Sequence, residues 1–149
     1  MKKEFLIING PNLNLLGKRE PHIYGNLSLD DIKTHTEKKL SDFNIKIEWF
    51  QSNLEGEIIE KIHSALDEKH WALIINPGAY SHTSVAILDA LKLLTFPIIE
   101  VHISNTNLRE DFRQRKITAK ASKAVLEGFG KDSYFMAIYS QLLESHDDV

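Results

Sequence analysis

Phe5-Leu6-Ile7-Ile8-Asn9-Gly10-Pro11-Asn12 decides the fold, because an apolar run of strand length stops abruptly at polar, turn-forming residues. The pattern recurs twice. Ala72-Leu73-Ile74-Ile75 ends in Asn76-Pro77-Gly78, and Ile98 to Val101 runs into His102-Ile103-Ser104-Asn105. Nearly continuous apolar runs suit strands buried on both faces of a parallel sheet. The carboxyl ends of such strands form one polar rim, and that is where open α/β sheets bind ligands.

Ile45-Lys46-Ile47-Glu48-Trp49 alternates apolar and charged residues, as an edge strand should, and Ala124 to Phe129 supplies a fifth strand. Helical patterns lie between. Ser28 with Asp31 resembles a capping box opening a helix to Leu40. Ile58, Ile59, Ile62 and Leu66 form one apolar stripe, Val85, Leu88, Leu91 and Leu94 another, and a last helix carries Tyr134, Ile138 and Leu142. Alternating strands and helices call for right-handed crossovers and a three-layer α/β sandwich. The expectation is a flavodoxin-like fold with a five-stranded parallel sheet in the order 2-1-3-4-5, in one catalytic domain spanning 1–149. The long connection from Gly10 to Leu27, with Gly17, Pro21 and Gly25, is expected to hold a mobile lid around 17–26. Glu144 to Val149 reads as a fraying tail.

With 149 residues, 42% of them hydrophobic, the chain can bury one substantial core. A net charge of −3 with scattered cations offers no footprint for nucleic acid or an anionic membrane. The absence of cysteine removes disulfides, thiolate zinc sites and cysteine nucleophiles. The apolar stretch after Met1-Lys2-Lys3-Glu4 is too short for a signal peptide or a membrane span, so a cytoplasmic protein is expected.

Neither Gly-x-x-x-x-Gly-Lys-Ser/Thr nor Gly-x-Gly-x-x-Gly follows the first strand, which argues against nucleotide binding. Asn9 and Asn76 stand where a response regulator would need acids. Period-two alternation places Glu100 and His102 on one face of their strand. A carboxylate beside an imidazole fixes its tautomer and can hold it protonated. A structural ion pair at the sheet edge and a metal site shared with His82 are competing readings, the latter disfavoured by the lack of further ligands on the rim.

The segment Ile8-Asn9-Gly10-Pro11-Asn12-Leu13-Asn14-Leu15-Leu16-Gly17, with Arg19-Glu20-Pro21 and Tyr24-Gly25, resembles the opening of type II 3-dehydroquinate dehydratases. Ser52-Asn53-Leu54-Glu55-Gly56, Asn76 to Ser84, Glu100 to Asn105 and Arg109-Glu110-Asp111-Phe112-Arg113 are similar to the family's other blocks, in order. The resemblance implies a subunit assembled as a dodecamer of trimers, dehydrating 3-dehydroquinate to 3-dehydroshikimate through an enolate, the third step of the shikimate pathway. It implies no cofactor and no metal. It makes Tyr24 the base, His102 the general acid, Arg19 the support of the tyrosinate, and Asn12 the holder of a water near the enolate, with Glu100 behind His102. Ile103 and Ser104 would receive the substrate carboxylate; Asn76, His82 and Arg113 would bind hydroxyls; Asp89 would come from a neighbouring subunit. The chain departs from the family pattern at Gln114-Arg115-Lys116, near Ser122 where an expected glycine is missing, and at Ser133 before Tyr134.

A proton beside a ketone needs a strong base, and a tyrosine with a reference pKa of about 10 is ionised only about once in a thousand at neutral pH. A guanidinium within hydrogen-bonding range favours the anion. Arg19 is the first expectation for that cation and Arg113 the second. The rival readings are a catalytically silent paralogue that binds a cyclic polyol acid and, on fold alone, a flavin-binding electron carrier.

Overall fold

The computed structural model describes residues 1–18 and 20–144. Arg19, His146 and all of the expected tail except Glu144 therefore lie outside the described residues. Five parallel strands, β1 (Lys3–Asn9), β2 (Ile45–Gln51), β3 (Ala72–Asn76), β4 (Ile98–His102) and β5 (Ala124–Glu127), form one sheet in the order β2-β1-β3-β4-β5. The flavodoxin-like order expected from the apolar runs is the one observed. β2 sits at the edge, as its alternation required, and β5 stops early because Gly128 turns the chain with φ +84°.

Side-chain alternation divides the core in two. Phe5, Ile7, Ala72, Ile74, Ile99 and Val101 face α2 (Leu29–Lys39) and α5 (Ser133–Leu143), which answer with Ile32, Tyr134, Ala137 and Ile138. Leu6, Ile8, Leu73, Ile75 and Ile98 face α3 (Glu55–Ser64) and α4 (Val85–Leu91), which contribute Ile58, Ile62, Ile87 and Leu91. Each fully buried aliphatic side chain contributes about 1.5–3 kcal/mol, so both layers are firmly held to the sheet.

The capping box at Ser28 and Asp31 is present in both directions. Two of the expected stripes need correction. Leu66 is exposed because α3 ends at Ser64, and Ala65 takes the buried place. Val85 points to solvent in the first turn after the Ser84 cap, so the inward face of α4 is Ile87, Leu88, Ala90 and Leu91, while Leu94 packs from beyond the helix. Among the described residues no helix is long and apolar enough to cross a membrane.

Rim geometry is set by close approach of β1 and β3. The Gly10 amide donates to the Asn76 carbonyl at 2.8 Å, and a β-carbon on Gly10 would lie 2.3 Å from the Pro77 carbonyl oxygen. Only glycine fits there. Asn9 and Asn76 are paired in register at the ends of β1 and β3, on the face covered by α5.

Candidate active site

A cavity of about 170 Å3 opens at the carboxyl ends of β1, β3 and β4. Its walls include Asn12, Tyr24, Asn76, His82, His102, Ile103, Ser104, Arg109 and Arg113. Each expected site residue on the rim that faces substrate is therefore brought together, with three exceptions. Glu100 lies behind His102 as anticipated, Asp89 is exposed on α4 away from the cavity, and Arg19 lies outside the described residues.

Tyr24 closes a four-residue helical turn, α1 (Pro21–Tyr24). Pro21 suits the first helical position, and Gly25 leaves the helix at φ +81° while its amide caps the Pro21 carbonyl. The phenol oxygen accepts a hydrogen bond from Nη1 of Arg109 at 2.7 Å, and the guanidinium carbon lies 5.2 Å from the ring centroid. Arg109 is the cation that sequence reasoning missed at this position. Arg113, the second expectation, is instead tied through Nε to Glu110 at 2.6 Å, although it still lines the cavity. Arg109 stands in a block quoted for its resemblance, but 85 residues separate it from Tyr24, so no spacing argument reaches it.

Tyr24 and Arg109 also separate two spaces. Behind them a second cavity of about 610 Å3 is lined by Ile23, Leu27, Ile32 and Leu108, and it shares Tyr24, Ile103, Ser104 and Arg109 with the first.

On the opposite wall, Nε2 of His102 meets Oε2 of Glu100 at 2.8 Å, and both residues are buried. An ionised carboxylate only accepts, so the ring proton sits on Nε2 and leaves Nδ1 for the cavity. The Ser81 hydroxyl donates to the same Glu100 oxygen at 2.8 Å, and the Thr118 hydroxyl donates to the other. Sequence reading had no way to find Thr118, which arrives from a separate 3-10 turn, Thr118–Ala121.

The His82 ring is stacked on His102, with centroids 6.2 Å apart and planes at 21°. Its Nδ1 lies 2.8 Å from the Arg115 carbonyl oxygen, which can only accept, so Nδ1 carries the proton. Burial, together with the nearby positive charges of His102, Arg113 and Lys116, lowers its pKa against the opposing pull of that carbonyl. A neutral ring of this tautomer presents Nε2 as an acceptor, suited to a substrate hydroxyl. The cap of α4 is Ser84, not His82.

Asn12 adopts φ +68°, and its amide is held by Oδ1 of Asn53 at 2.9 Å. The same oxygen accepts from Gln51, and the Asn53 carbonyl accepts from the Tyr80 hydroxyl. This places the Ser52-Asn53 block behind Asn12. All but one of the departures from the family pattern are also accommodated. Gln114 donates to the Thr106 carbonyl at 2.8 Å, Lys116 pairs with Glu127 at 3.3 Å, and Ser133 caps the Gly130 carbonyl. Among the described residues the buried Ser122 hydroxyl has no hydrogen-bond partner, so this departure alone is not accommodated.

A doubly wound sheet whose rim carries a phenol beside a guanidinium and an imidazole beside a carboxylate is a flavodoxin-like α/β fold with side chains that can carry acid–base chemistry. The family model described as Dehydroquinase class II matches residues 3–142. The chain is 52% identical over 138 residues to the 3-dehydroquinate dehydratase of Caldicellulosiruptor bescii, covering 93% of this chain and 95% of that one. It is 52% identical over 133 residues to that of Clostridium botulinum, covering 89% and 90%. The crystal structure of type II dehydroquinase from Butyrivibrio crossotus superposes with a TM-score of 0.91 at 43% identity, covering 95% of this chain and 98% of that one. The chain belongs to the class II dehydroquinase family, lyases that dehydrate 3-dehydroquinate in the shikimate pathway.

Proposed function

We propose that this chain converts 3-dehydroquinate to 3-dehydroshikimate and water with its own side chains, Tyr24 acting as base and His102 as acid. The observation that carries the reading is the Arg109 to Tyr24 hydrogen bond in the lining of a cavity that His102, backed by Glu100, also lines. The Arg109 guanidinium sits where it pairs with the oxygen that, as phenolate, takes the proton beside the ketone. The electron pair passes to the carbonyl oxygen, and a water held by Asn12 stabilises that enolate. The enolate then expels the neighbouring hydroxyl, which leaves as water with a proton given from Nδ1 of the His102 imidazolium; Glu100, bonded to Nε2, steadies that cation before transfer and the ring is left neutral. Arg19, by the family resemblance, supports the tyrosinate. Ser104 and the Ile103 backbone take the carboxylate; Asn76, His82 and Arg113 bind the ring hydroxyls.

The turn carrying Tyr24, flanked by Gly17 and Gly25 at positive φ, acts as a lid that closes over 17–26 and excludes water. Asp89, exposed on α4, completes the site of a neighbouring subunit in a dodecamer of trimers. The protein works in the cytoplasm, in biosynthesis of aromatic compounds. The test is ultraviolet absorbance of the conjugated enone formed from 3-dehydroquinate by purified protein. Growth of that band is the expected result. Folded protein that binds the acid with no product would instead be the silent paralogue.

A further inference from the structure

Behind the cavity wall, Asn76 is tied into a buried polar chain with Tyr134 and Asn9, neither of which the reaction above uses. Asn76 Oδ1 accepts from the backbone amide of Gly78 at 3.1 Å. A backbone amide only donates, so this contact alone fixes which end of the Asn76 side chain is oxygen. Its Nδ2 then donates to the phenol oxygen of Tyr134 at 3.1 Å, and the Tyr134 hydroxyl donates in turn to Oδ1 of Asn9. Every link runs in one direction. Two of the amide's bonding groups are thereby committed, which leaves one N–H for the cavity that Asn76 lines.

Tyr134 is well placed to hold that direction. It is fully buried on α5, and its ring packs against Trp49 at 5.5 Å between centroids. Burial raises its pKa, so the hydroxyl keeps its proton and must spend it on Asn9. Its oxygen is then free only to accept, and Asn76 supplies the donor. Register makes the arrangement possible, because Asn9 and Asn76 are paired neighbours on β1 and β3 and both face α5.

We propose that Tyr134 is a positioning residue for substrate binding: its phenol oxygen holds the Asn76 amide so that Asn76 presents an N–H donor to a hydroxyl oxygen of the substrate. This rests on the reading of Asn76 as a substrate-binding residue. It gives Tyr134 a role beyond the apolar face of its helix, and it makes the Asn76 subsite selective for an oxygen lone pair.

The test compares steady-state kinetics and thermal melting of full-length Tyr134→Phe, the double variant Asn9→Leu/Tyr134→Phe, and Asn76→Ala. Losing one well-aimed hydrogen bond in both ground and transition states raises KM about tenfold and leaves kcat within about threefold. Tyr134→Phe strands the Asn9 oxygen and the Asn76 N–H in the core and lowers Tm; the double variant removes the stranded Asn9 oxygen and regains part of that stability. Raised KM in both variants, despite their different Tm values, is the expected result. If Tyr134→Phe does not fold, the double variant alone decides. A wild-type KM in the double variant would overturn the inference, whether KM in the single variant simply followed its lost stability or never changed. Asn76→Ala separates the two levels. A raised KM there with wild-type KM in the double variant sinks only the role of Tyr134, whereas wild-type KM in Asn76→Ala removes the binding role of Asn76 itself.

Discussion

Arg109 and Tyr24, 85 residues apart, meet at 2.7 Å between Nη1 and the phenol oxygen, and the guanidinium lies beside the aromatic ring. The contact ties the Pro21–Tyr24 turn to the loop after β4. Arg109 also reaches toward the Ser104 hydroxyl at 3.5 Å, so one side chain touches both the proposed base and the proposed carboxylate contact.

Arg109→Lys should therefore cost more than a lost charge. A lysine keeps the positive charge but not the planar fork that spans Tyr24 and Ser104. The expected outcome is a loss of about a hundredfold in kcat with the fold intact. Initial rates with a melting curve check it, and kcat within threefold of wild type would show that the guanidinium geometry does not matter.

Glu100→Gln should uncouple His102 from its orienting partner. The substitution removes the charge that steadies the imidazolium, so kcat should fall about a hundredfold with little change in KM. Fully buried Glu100 also accepts from Ser81 and Thr118, so Tm should fall as well. Unaltered kcat would remove His102 from the elimination step.

Proton linkage at His82 has a definite sign. Its pKa in the fold is lowered below the ordinary value of 6.5, chiefly by burial, so the unfolded chain takes up the proton first. Its cost is absent well above pH 6.5 and grows as pH falls through 6.5 toward the folded value. Relative to His82→Asn, the wild type should lose Tm on moving from about pH 7.5 to about pH 5.5. A constant difference across that range would contradict the assignment.

Gly10→Ala forces a β-carbon to 2.3 Å from the Pro77 carbonyl oxygen, between backbones that cannot yield cheaply. The expected loss is about 1–3 kcal/mol in denaturant unfolding, the usual cost of overpacking. Unchanged stability would mean that the rim is looser than its geometry indicates.

Most of the fold was legible because it rests on local pattern. Continuous apolar runs marked β1, β3 and β4, alternation marked β2 as an edge, and Ser28 with Asp31 announced α2. The misplaced helix positions, Leu66 and Val85, fell at helix ends, where periodicity says nothing about which residue begins or stops the turn. The pairing of Glu100 with His102 was readable because both sit on one strand, two residues apart. Contacts that cross elements were not: Arg109 on Tyr24, Thr118 on Glu100 and Tyr134 between Asn9 and Asn76 depend on tertiary proximity that spacing does not encode. The Arg19 expectation carries over from resemblance alone, since Arg19 lies outside the described residues.

The central claim is that Tyr24, as the phenolate, takes the proton from carbon. Its most direct measurement is enone formation by Tyr24→Phe, set beside equilibrium binding of 3-dehydroquinate to the same variant. Binding close to wild type with turnover reduced at least about a thousandfold is the predicted result, since phenylalanine keeps the ring but has no oxygen to accept the proton. Turnover within tenfold of wild type would contradict it.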